Sequence, residues 1–373
     1  MNSQISFDSI TKPKFKNSKP IRLIELFAGI GAQAKALENL GVDFEHYRIC
    51  EFDKNAVQSY NAIHGTAFTP SDITKLSGDD LGINNTDPFT YLLTYSFPCQ
   101  DLSLAGKQRG MSKGDNTRSG LLWEVERLLN ETKELPQVLL MENVIQVHSK
   151  QNKSDFEKWI SFLESKGYTN YWQDLNAKDY GVAQNRNRCF MISILGDYFY
   201  EFPKKEPLTK VMRDYLEPEV DDKYFLSLKG VRYVMSPKRK KWCAFDNDVA
   251  ATIMARVNSN WNGNFITCEL LGTIHSEKWD RKLESCRRVY SQAGVSPTVV
   301  TQQGGGQNIK IETNAEPLRI RKLTPRECFR LMSFSDDDFD KCVAAGMSDC
   351  QLYKQAGNSI VVSVLEKILK ELF

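Results

Sequence analysis

Cys99 is the residue of this sequence best placed for covalent chemistry. The apolar run 91–97 is rich in strand-forming residues and ends at Pro98, directly before Cys99. A cysteine in that position lies at the mouth of a sheet, where its thiolate could attack an electrophilic carbon. Free cysteines are more often buried space-filling residues, so this position alone leaves both interpretations open.

Glu142, Arg186 and Arg188 border two other strand-like runs and could serve acid–base chemistry and anion binding. Glu142 follows the run 138–141, and the two arginines precede the run 189–195. A carboxylic acid in a dry pocket can stay protonated near neutral pH. Arginines two residues apart on an extended backbone point the same way, and could hold a carbonyl oxygen and a phosphate or carboxylate. A capping acid and a solvated basic pair are the ordinary alternatives.

A glycine-containing turn after the first strand-like run favours a ligand at a helix N-terminus. The turn contains Phe27, Ala28, Gly29 and Gly31. Its G-x-G spacing lacks the third glycine of the dinucleotide fingerprint, which disfavours a dinucleotide-binding dehydrogenase. Glu51 ends the second strand-like run about twenty residues later, where a carboxylate can accept both hydroxyls of a ribose.

Three further residues complete a candidate adenosine site. Phe52 stands beside Glu51 and could stack on an adenine ring. Asp72, followed by Ile73, could accept a hydrogen bond from an exocyclic amine. Each acid alone is an ordinary surface residue, but together these residues describe a site for an adenosine without a long phosphate chain.

Strand-like and helical patterns alternate through the first half of the chain. This alternation predicts an α/β fold with a doubly wound, mostly parallel sheet and helices on both faces. Ligands of such sheets bind at the carboxyl ends of the strands, which would bring Cys99 and Glu142 to one edge. The predicted strands are 21–27, 47–51, 91–96, 138–141, 171–175 and 189–195, and the predicted helices are 33–40, 54–64, 120–130 and 155–166.

The alternation ends near residue 196. From there to about residue 317 the periodicity is poor, and Pro, Gly and Asn are frequent. Helical patterns return at 325–331 and 359–372. The simplest division has a catalytic and cofactor-binding domain at 1–195 plus 318–373, interrupted by a smaller, irregular domain at 196–317.

Composition excludes several classes of protein. The 373 residues carry a net charge of only +2, so a nucleic-acid surface would have to be local. The nine cysteines show no C-x-x-C spacing and the four histidines form no ligand pair, so we expect neither disulfides nor a metal. Without a membrane-length apolar run or a secretion signal, we expect a cytoplasmic protein and no membrane partner.

In this order and spacing, the motifs resemble the cytosine-5 DNA methyltransferase family over nearly the whole chain except the insertion. Any one motif is weak or moderate, whereas six or more together are specific. Ser96 stands where the family usually has glycine, but no departure removes a catalytic group. The motifs are F-A-G-x-G at 27–31, Glu51, Asp72-Ile73, F-P-C-Q at 97–100, E-N-V at 142–144, Q-x-R-x-R at 184–188, R-x-L-T-x-x-E-x-x-R at 321–330 and Q-A-G-N-S at 355–359.

The resemblance implies S-adenosylmethionine as the methyl donor. Glu51 would bind its ribose, Asp72 and Ile73 its adenine, and Pro98 would border the methionine end. The implied cofactor-binding residues are Phe27, Ala28, Gly29, Gly31, Glu51, Phe52, Asp72, Ile73, Pro98, Asn358 and Ser359.

The resemblance also implies a covalent mechanism on a cytosine. Cys99 would attack C6, Glu142 would hydrogen-bond N3 and the exocyclic amine, Arg188 would hold O2, and Arg186 would support the acid or a phosphate. The site must favour the thiolate of Cys99, for which nearby cations and a favourable local dipole are candidates. Because the target base must leave the duplex, we expect the glycine-containing segment 100–116 to close over the DNA.

The insertion at 196–317 would be a target-recognition domain. Its basic run 238–241 would contact phosphates of double-stranded DNA, although a solvated charge run is the alternative. Thr298 and Val299 resemble a threonine–aliphatic pair that the family places late in this domain. The glycines at 304–306 would let the backbone approach DNA closely.

The compact chain resembles prokaryotic and phage modification enzymes, either partnered with a restriction endonuclease or solitary, and we expect a monomer. One alternative is a tRNA cytosine methyltransferase, although that branch usually has Pro-Pro-Cys-Gln and a Cys-Phe-Thr signature that this sequence lacks. A catalytically inactive DNA-binding homologue is the other alternative, and the intact Cys99, Glu142 and Arg188 argue against it.

Overall fold

The computed structural model describes residues 12–99, 101–102, 110–114, 117–236, 239, 243–255, 263–268 and 319–373. Its strands are β1 (Ile21–Leu26), β2 (Phe44–Cys50), β3 (Thr90–Tyr95), β4 (Val138–Val144), β5 (Tyr168–Asn176), β6 (Gln184–Asn185), β7 (Asn187–Leu195), β8 (Cys243–Phe245), β9 (Ala250–Ala251), β10 (Gly263–Cys268) and β11 (Arg319–Lys322). Its α-helices are α1 (Ala32–Leu40), α2 (Lys54–His64), α3 (Leu122–Glu131), α4 (Lys153–Ser165), α5 (Leu228–Val234), α6 (Pro325–Leu331), α7 (Asp336–Ala344), α8 (Asp349–Asn358) and α9 (Val362–Lys370).

The central sheet has six strands in the order β2-β1-β3-β4-β7-β5. Neighbouring strands from β2 to β4 are parallel, whereas β7 is antiparallel to both β4 and β5. Every residue of β3 and of β4 is buried, as expected for strands covered on both faces. The predicted fold class, a doubly wound and mostly parallel sheet, is confirmed.

Alternate strand residues enter two cores on opposite faces of the sheet. Leu92 and Leu140 pack in the core that holds α1, α2 and the C-terminal helix α9. Leu93 and Met141 pack in the other core, with side chains of α3 and α4. The chain therefore returns after the middle segment and covers the sheet with its last helix, which packs directly on α1.

Some element boundaries differ from the sequence expectation. The helix predicted from residue 359 begins at Val362, because Ser359 is extended and its side chain lies at the cavity described below. The second strand begins at Phe44 rather than at residue 47, because three further residues pair with β1. Both differences lie at element ends, where sequence periodicity carries little information.

Part of the middle segment joins a second, three-stranded sheet, β11-β10-β8, over a small core around Phe265 and Ile320. Phe199 and Tyr200 pack instead in the core that holds α1, α2 and α9.

The domain boundaries at 195/196 and 317/318 stay predictions. The Thr298–Val299 pair, the glycines at 304–306, most of the basic run 238–241 and most of the segment 100–116 lie outside the described residues. No helix of the described residues has the length and apolar character needed to span a membrane.

A buried ion pair explains the motif that follows the middle segment. Arg321 of β11 donates two hydrogen bonds of 2.8 Å to the carboxylate of Glu327 on α6. The same carboxylate accepts from the backbone of Thr324, which caps α6. Arg321 is 4% exposed and Glu327 is fully buried, so each charge is stabilised in the interior by the opposite charge of its partner.

Replacing Glu327 by Ala should therefore destabilise the protein by about 3–5 kcal/mol, because it leaves a buried guanidinium without its partner. Urea unfolding measures this change. The matched control is Arg330→Ala, which lies on α6 like Glu327 but pairs with Asp336 of α7 in a more exposed position, and this change should cost less than about 1 kcal/mol. Equal destabilisation of the two variants would contradict the assignment of Arg321–Glu327 as the structural pair.

Candidate active site

A cavity of about 580 Å³ opens at the carboxyl ends of the parallel strands β1 to β4. Its volume is in the range of sites that enclose a cofactor-sized molecule. Of the residues predicted to form the site, all except Gly31 line this cavity. Those lining it are Phe27, Ala28, Gly29, Glu51, Phe52, Asp72, Ile73, Pro98, Cys99, Glu142, Arg186, Arg188, Asn358 and Ser359.

The turn after β1 has an unusual backbone. Phe27, Gly29 and Gly31 all have positive φ angles, of 59°, 57° and 77°. For Phe27 this left-handed conformation costs about 1–2 kcal/mol, so surrounding contacts must hold it. One such contact is the 2.6 Å hydrogen bond from the Phe27 amide to the carbonyl of Cys50 at the end of β2. The turn is thereby fixed to the neighbouring strand.

Glu51 connects this turn to the start of α2. One carboxylate oxygen accepts from the amide of Gly29 at 2.9 Å, and the other accepts from the amide of Asp53 at 2.8 Å. Each carboxylate oxygen has two lone pairs, so both retain capacity for hydroxyl donors. The carboxylate is therefore held in one orientation at the cavity wall.

Two neighbouring residues present a ring and a second carboxylate. Phe52 is 77% exposed, which is unusual for an aromatic residue beside a cavity and leaves its face available for stacking. Asp72 accepts hydrogen bonds from the backbone and the hydroxyl of Thr74. These bonds lower the pKa of Asp72, so it is an ionised acceptor at neutral pH.

The backbone before the cysteine is held by side chains from two other segments. The Asn143 amide donates to the carbonyl of Phe97 at 2.9 Å, and the Ser119 hydroxyl donates to the carbonyl of Pro98 at 2.7 Å. After it, the Leu102 amide donates to the carbonyl of Cys99. Sequence reasoning missed Ser119, because it precedes a helix twenty residues further along and no local pattern marks it.

Glu142 and Arg188 form an ion pair inside the cavity, with 3.2 Å between Glu142 Oε1 and Arg188 Nε. The pair arises because β7 runs antiparallel to β4, so that Arg188 lies beside Val144 at the carboxyl end of β4. Burial raises the pKa of Glu142, although the charges of Arg188 and Arg186 oppose this shift. Glu142 is thus a buried acid that gains a proton more readily than an exposed one.

Cys99 lies within the field of this pair. Burial raises the pKa of its thiol, the charge of Glu142 raises it further, and Arg188 and Arg186 lower it. The net direction is upward, so the free protein holds Cys99 mainly as the thiol at neutral pH. The two arginines act in the direction expected of neighbouring cations, but in the free protein desolvation outweighs them.

The two arginines make different contacts, although they were predicted to point the same way. Arg186 donates to the carbonyls of Ile253, Gly357 and Ser359, at 2.9, 3.0 and 2.7 Å. Burial lowers its pKa to about 9. Arg186 lies between β6 and β7, and both arginines line the cavity. Arg186 thereby joins the middle segment and the C-terminal segment to the sheet.

Three of the four histidines join possible metal-ligand groups at two places in the described part of the chain. In each place, three possible metal-ligand atoms lie within 4.8 Å of one another. In both, a histidine is already paired with a carboxylate, and neither group lines the cavity. The absence of a metal stays a prediction. The two groups are Glu38, His46 and His64, and His148, Asp174 and Cys189.

Comparison with known proteins decides the family. The family model described as C-5 cytosine-specific DNA methylase matches residues 21–373. The chain belongs to this family. The resemblance seen in the motifs is thus confirmed.

Two relatives illustrate the branch of the family. The type II methyltransferase M2.ScrFI of Lactococcus lactis subsp. cremoris is 34% identical, over 95% of this chain and 99% of its own length. The orphan methyltransferase M.SssI of Spiroplasma monobiae is 32% identical, over 95% of this chain and 98% of its own. The chain is a DNA cytosine-5 methyltransferase of the bacterial and phage type. These matches favour DNA over the tRNA substrate that the sequence left open.

Solved structures show the same fold. The Dnmt2 methyltransferase of S. pombe superposes with a TM-score of 0.66 at 20% identity, covering 94% of this chain and 97% of its own. The Entamoeba histolytica methyltransferase EhMeth superposes with a TM-score of 0.69 at 16% identity, covering 95% and 98%.

The charges around Cys99 predict how its reactivity depends on pH. In the free protein, Glu142→Gln should lower the pKa of Cys99, because it removes a negative charge that disfavours the thiolate. Arg188→Ala should raise that pKa, because it removes a positive charge. Alkylation of Cys99 by iodoacetamide, followed across pH by peptide mass spectrometry, should shift to lower pH in the first variant and to higher pH in the second.

The exposed Cys350 provides an internal control in the same samples. Its alkylation profile should be the same in all three proteins. Shifts of Cys99 in the same direction in both variants would contradict the electrostatic account.

Proposed function

We propose that this methyltransferase transfers the methyl group of S-adenosylmethionine to C5 of a cytosine flipped out of double-stranded DNA, through a covalent bond between Cys99 and C6. One observation carries the proposal. The thiol of Cys99 and the Glu142–Arg188 pair face the same cavity as Glu51 and Phe52. The same cavity therefore holds residues suited to bind an adenosine and, beside them, a nucleophile paired with an acid.

The cavity residues fit S-adenosylmethionine by shape and by donor set. A Cβ built on Gly29 meets no atom within 4 Å, so the turn leaves free space beside its backbone. The fixed carboxylate of Glu51 would accept hydrogen bonds from the ribose hydroxyls, and the exposed ring of Phe52 would stack on the adenine. Bound there, the cofactor supplies an electrophilic methyl group. Pro98 would border its methionine end, and Asn358 and Ser359 would close the site from the returning C-terminal segment.

Cys99 would make cytosine reactive by adding to it. Its sulfur would bond to C6 and the ring electrons would move to C5. C5 would then take the methyl group as the bond between that methyl and the donor's sulfonium sulfur breaks, and S-adenosylhomocysteine would leave as a neutral thioether. A base afterwards removes the C5 proton, the C5–C6 double bond re-forms and the sulfur leaves. Glu142 would donate its proton to N3, and Arg188 would hold O2.

The same residues would also favour ionisation of the Cys99 thiol when cytosine binds. A proton on Glu142 removes one of the charges that raise the pKa of Cys99, while Arg188 and Arg186 remain. Binding of cytosine N3 to a protonated Glu142 would thus favour the thiolate that attacks C6. Activation of the nucleophile is in this way tied to the presence of the correct base.

The remaining proposals concern the DNA, the oligomeric state and the location of the protein. The segment 100–116 would close over the extruded base, and the segment 196–317 would read the target sequence. The protein would work as a monomer in the cytoplasm of a bacterium or of a phage-infected cell. It would act either beside a restriction endonuclease or without one.

The covalent step predicts irreversible trapping. A duplex with 5-fluorocytosine at the target position should form a stable adduct with the wild-type protein and S-adenosylmethionine, because fluorine cannot leave C5 as a proton does. Bisulfite sequencing of DNA from expressing cells identifies the target first. Cys99→Ala should form no adduct and lose at least about 10³-fold in methyl transfer, yet still bind the cofactor.

The control for this test is Cys350→Ala, at an exposed cysteine away from the cavity. It should trap and methylate like the wild type. Methyl transfer by Cys99→Ala at the wild-type rate would remove Cys99 from the mechanism.

The basic run 238–241 predicts a salt effect on DNA binding. Replacing its four residues by Ala should flatten the plot of log K against log salt by about 0.9 for each phosphate that the run neutralises. The control is Lys133→Ala, because Lys133 precedes β4, at the sheet edge opposite the cavity, and pairs with Asp79. An unchanged slope in the fourfold variant would show that the run faces solvent.

A further inference from the structure

His64 lies behind the turn that forms the wall of the cavity. It is the last residue of α2, and its side chain is fully buried. Nδ1 is 2.6 Å from a carboxylate oxygen of Glu38 on α1, and Nε2 is 3.2 Å from the carbonyl oxygen of Ile30 in the turn. The imidazole therefore bridges a helix and the turn.

The imidazole fits closely against the turn. A Cβ built on Gly31 would lie 2.3 Å from Nε2 of His64 and 2.6 Å from the ring of Tyr60. The rings of Tyr60 and His46 lie 4.5 and 5.1 Å from the His64 ring, centroid to centroid. The side chain is thus held between two rings and the backbone of the turn, which explains why residue 31 is glycine.

Glu38 is suited to hold the outer end of this bridge. Burial by itself would raise its pKa, but hydrogen bonds from His46 and His64 and the charge of Lys35 lower it well below the usual range. Glu38 is therefore an acceptor, and so is the carbonyl of Ile30. Both ring nitrogens of His64 therefore lie within hydrogen-bond distance of an acceptor.

The turn faces the cavity on its other side. Gly29 and Ile30 line the cavity, so the residue that His64 contacts is also a wall of the proposed cofactor site. Glu51 fixes the turn from the β2 side, through the amide of Gly29. A turn with three left-handed residues is thus held at Gly29 from one side and at Ile30 from the other.

We propose that His64 is a positioning residue for the methyl donor: by joining Glu38 to the carbonyl of Ile30, it holds the turn in the conformation that binds S-adenosylmethionine. This inference rests on the proposed function. His64 touches neither the cavity nor Cys99, so it acts on cofactor affinity and leaves the chemical step unchanged.

Two amide side chains separate the two halves of the bridge. In His64→Gln the amide nitrogen stands near the position of Nε2 and can donate to Ile30. In His64→Asn it stands near Nδ1 and can donate only to Glu38. If the Ile30 contact positions the turn, Asn should raise the Kd and the KM for S-adenosylmethionine about tenfold and Gln should raise them much less. The kcat at saturating cofactor should stay within about twofold in both variants.

The matched control is His148→Gln, since His148 is likewise paired with a carboxylate, that of Asp174 at 2.9 Å, but its partner strand β5 is four places from β1 in the sheet. It should leave Kd, KM and kcat unchanged. Thermal unfolding verifies that each variant is folded. The decisive comparison is between His64→Asn, which keeps only the Glu38 contact, and His64→Gln, whose side chain is of similar size.

Three outcomes would overturn the inference: Asn binding the cofactor like the wild type, Gln and Asn losing affinity equally, or a fall in kcat with unchanged KM. Failure of the wild-type protein to bind S-adenosylmethionine would overturn the proposed cofactor, and this inference with it. Wild-type binding with an unaffected Asn variant would overturn the role of His64 alone.

Discussion

The ion pair between the buried carboxylate of Glu142 and the partly buried guanidinium of Arg188 is the interaction on which the rest of the site depends. Two charges removed from water are stable only when they are paired at short distance. The single antiparallel strand in the sheet makes this possible, because it brings the first residues of β7 to the carboxyl end of β4. A parallel strand there would begin at the opposite edge of the sheet. The direction of β7 is therefore what brings Arg188 to Glu142 at the cavity.

The same pair controls the cysteine. Burial holds Cys99 as a thiol in the free protein, and the balance between Glu142 and the two arginines decides how easily it ionises. A cysteine held as the thiol is also less reactive toward unproductive alkylation and oxidation than the thiolate. Around it, Asn143 and Ser119 fix the backbone carbonyls before the sulfur, so its position depends on contacts from two distant parts of the chain.

Much of the fold was predictable from the sequence because β3 and β4 are buried on both faces. Such strands read as continuous apolar runs, and they ended where Cys99 and Glu142 were expected to lie. The motifs then identified the cavity-lining residues, since their chemistry is local. The start of α9 was misplaced by three residues, because Ser359 belongs to the cavity wall and an amphipathic pattern does not distinguish a wall from a helix turn.

By itself, the sequence determined the fold class, the family and the residue types at the sheet edge, because these follow from periodicity and from motifs within a few residues of one another. Only the tertiary structure decided the partners. Arg186 holds three carbonyls from segments 67 to 173 residues away, and His64 meets Ile30 and Glu38. The physical reason is that hydrogen bonds and desolvation depend on neighbours in space. Spacing along the chain cannot specify which carbonyl a guanidinium reaches, or whether burial outweighs a nearby charge.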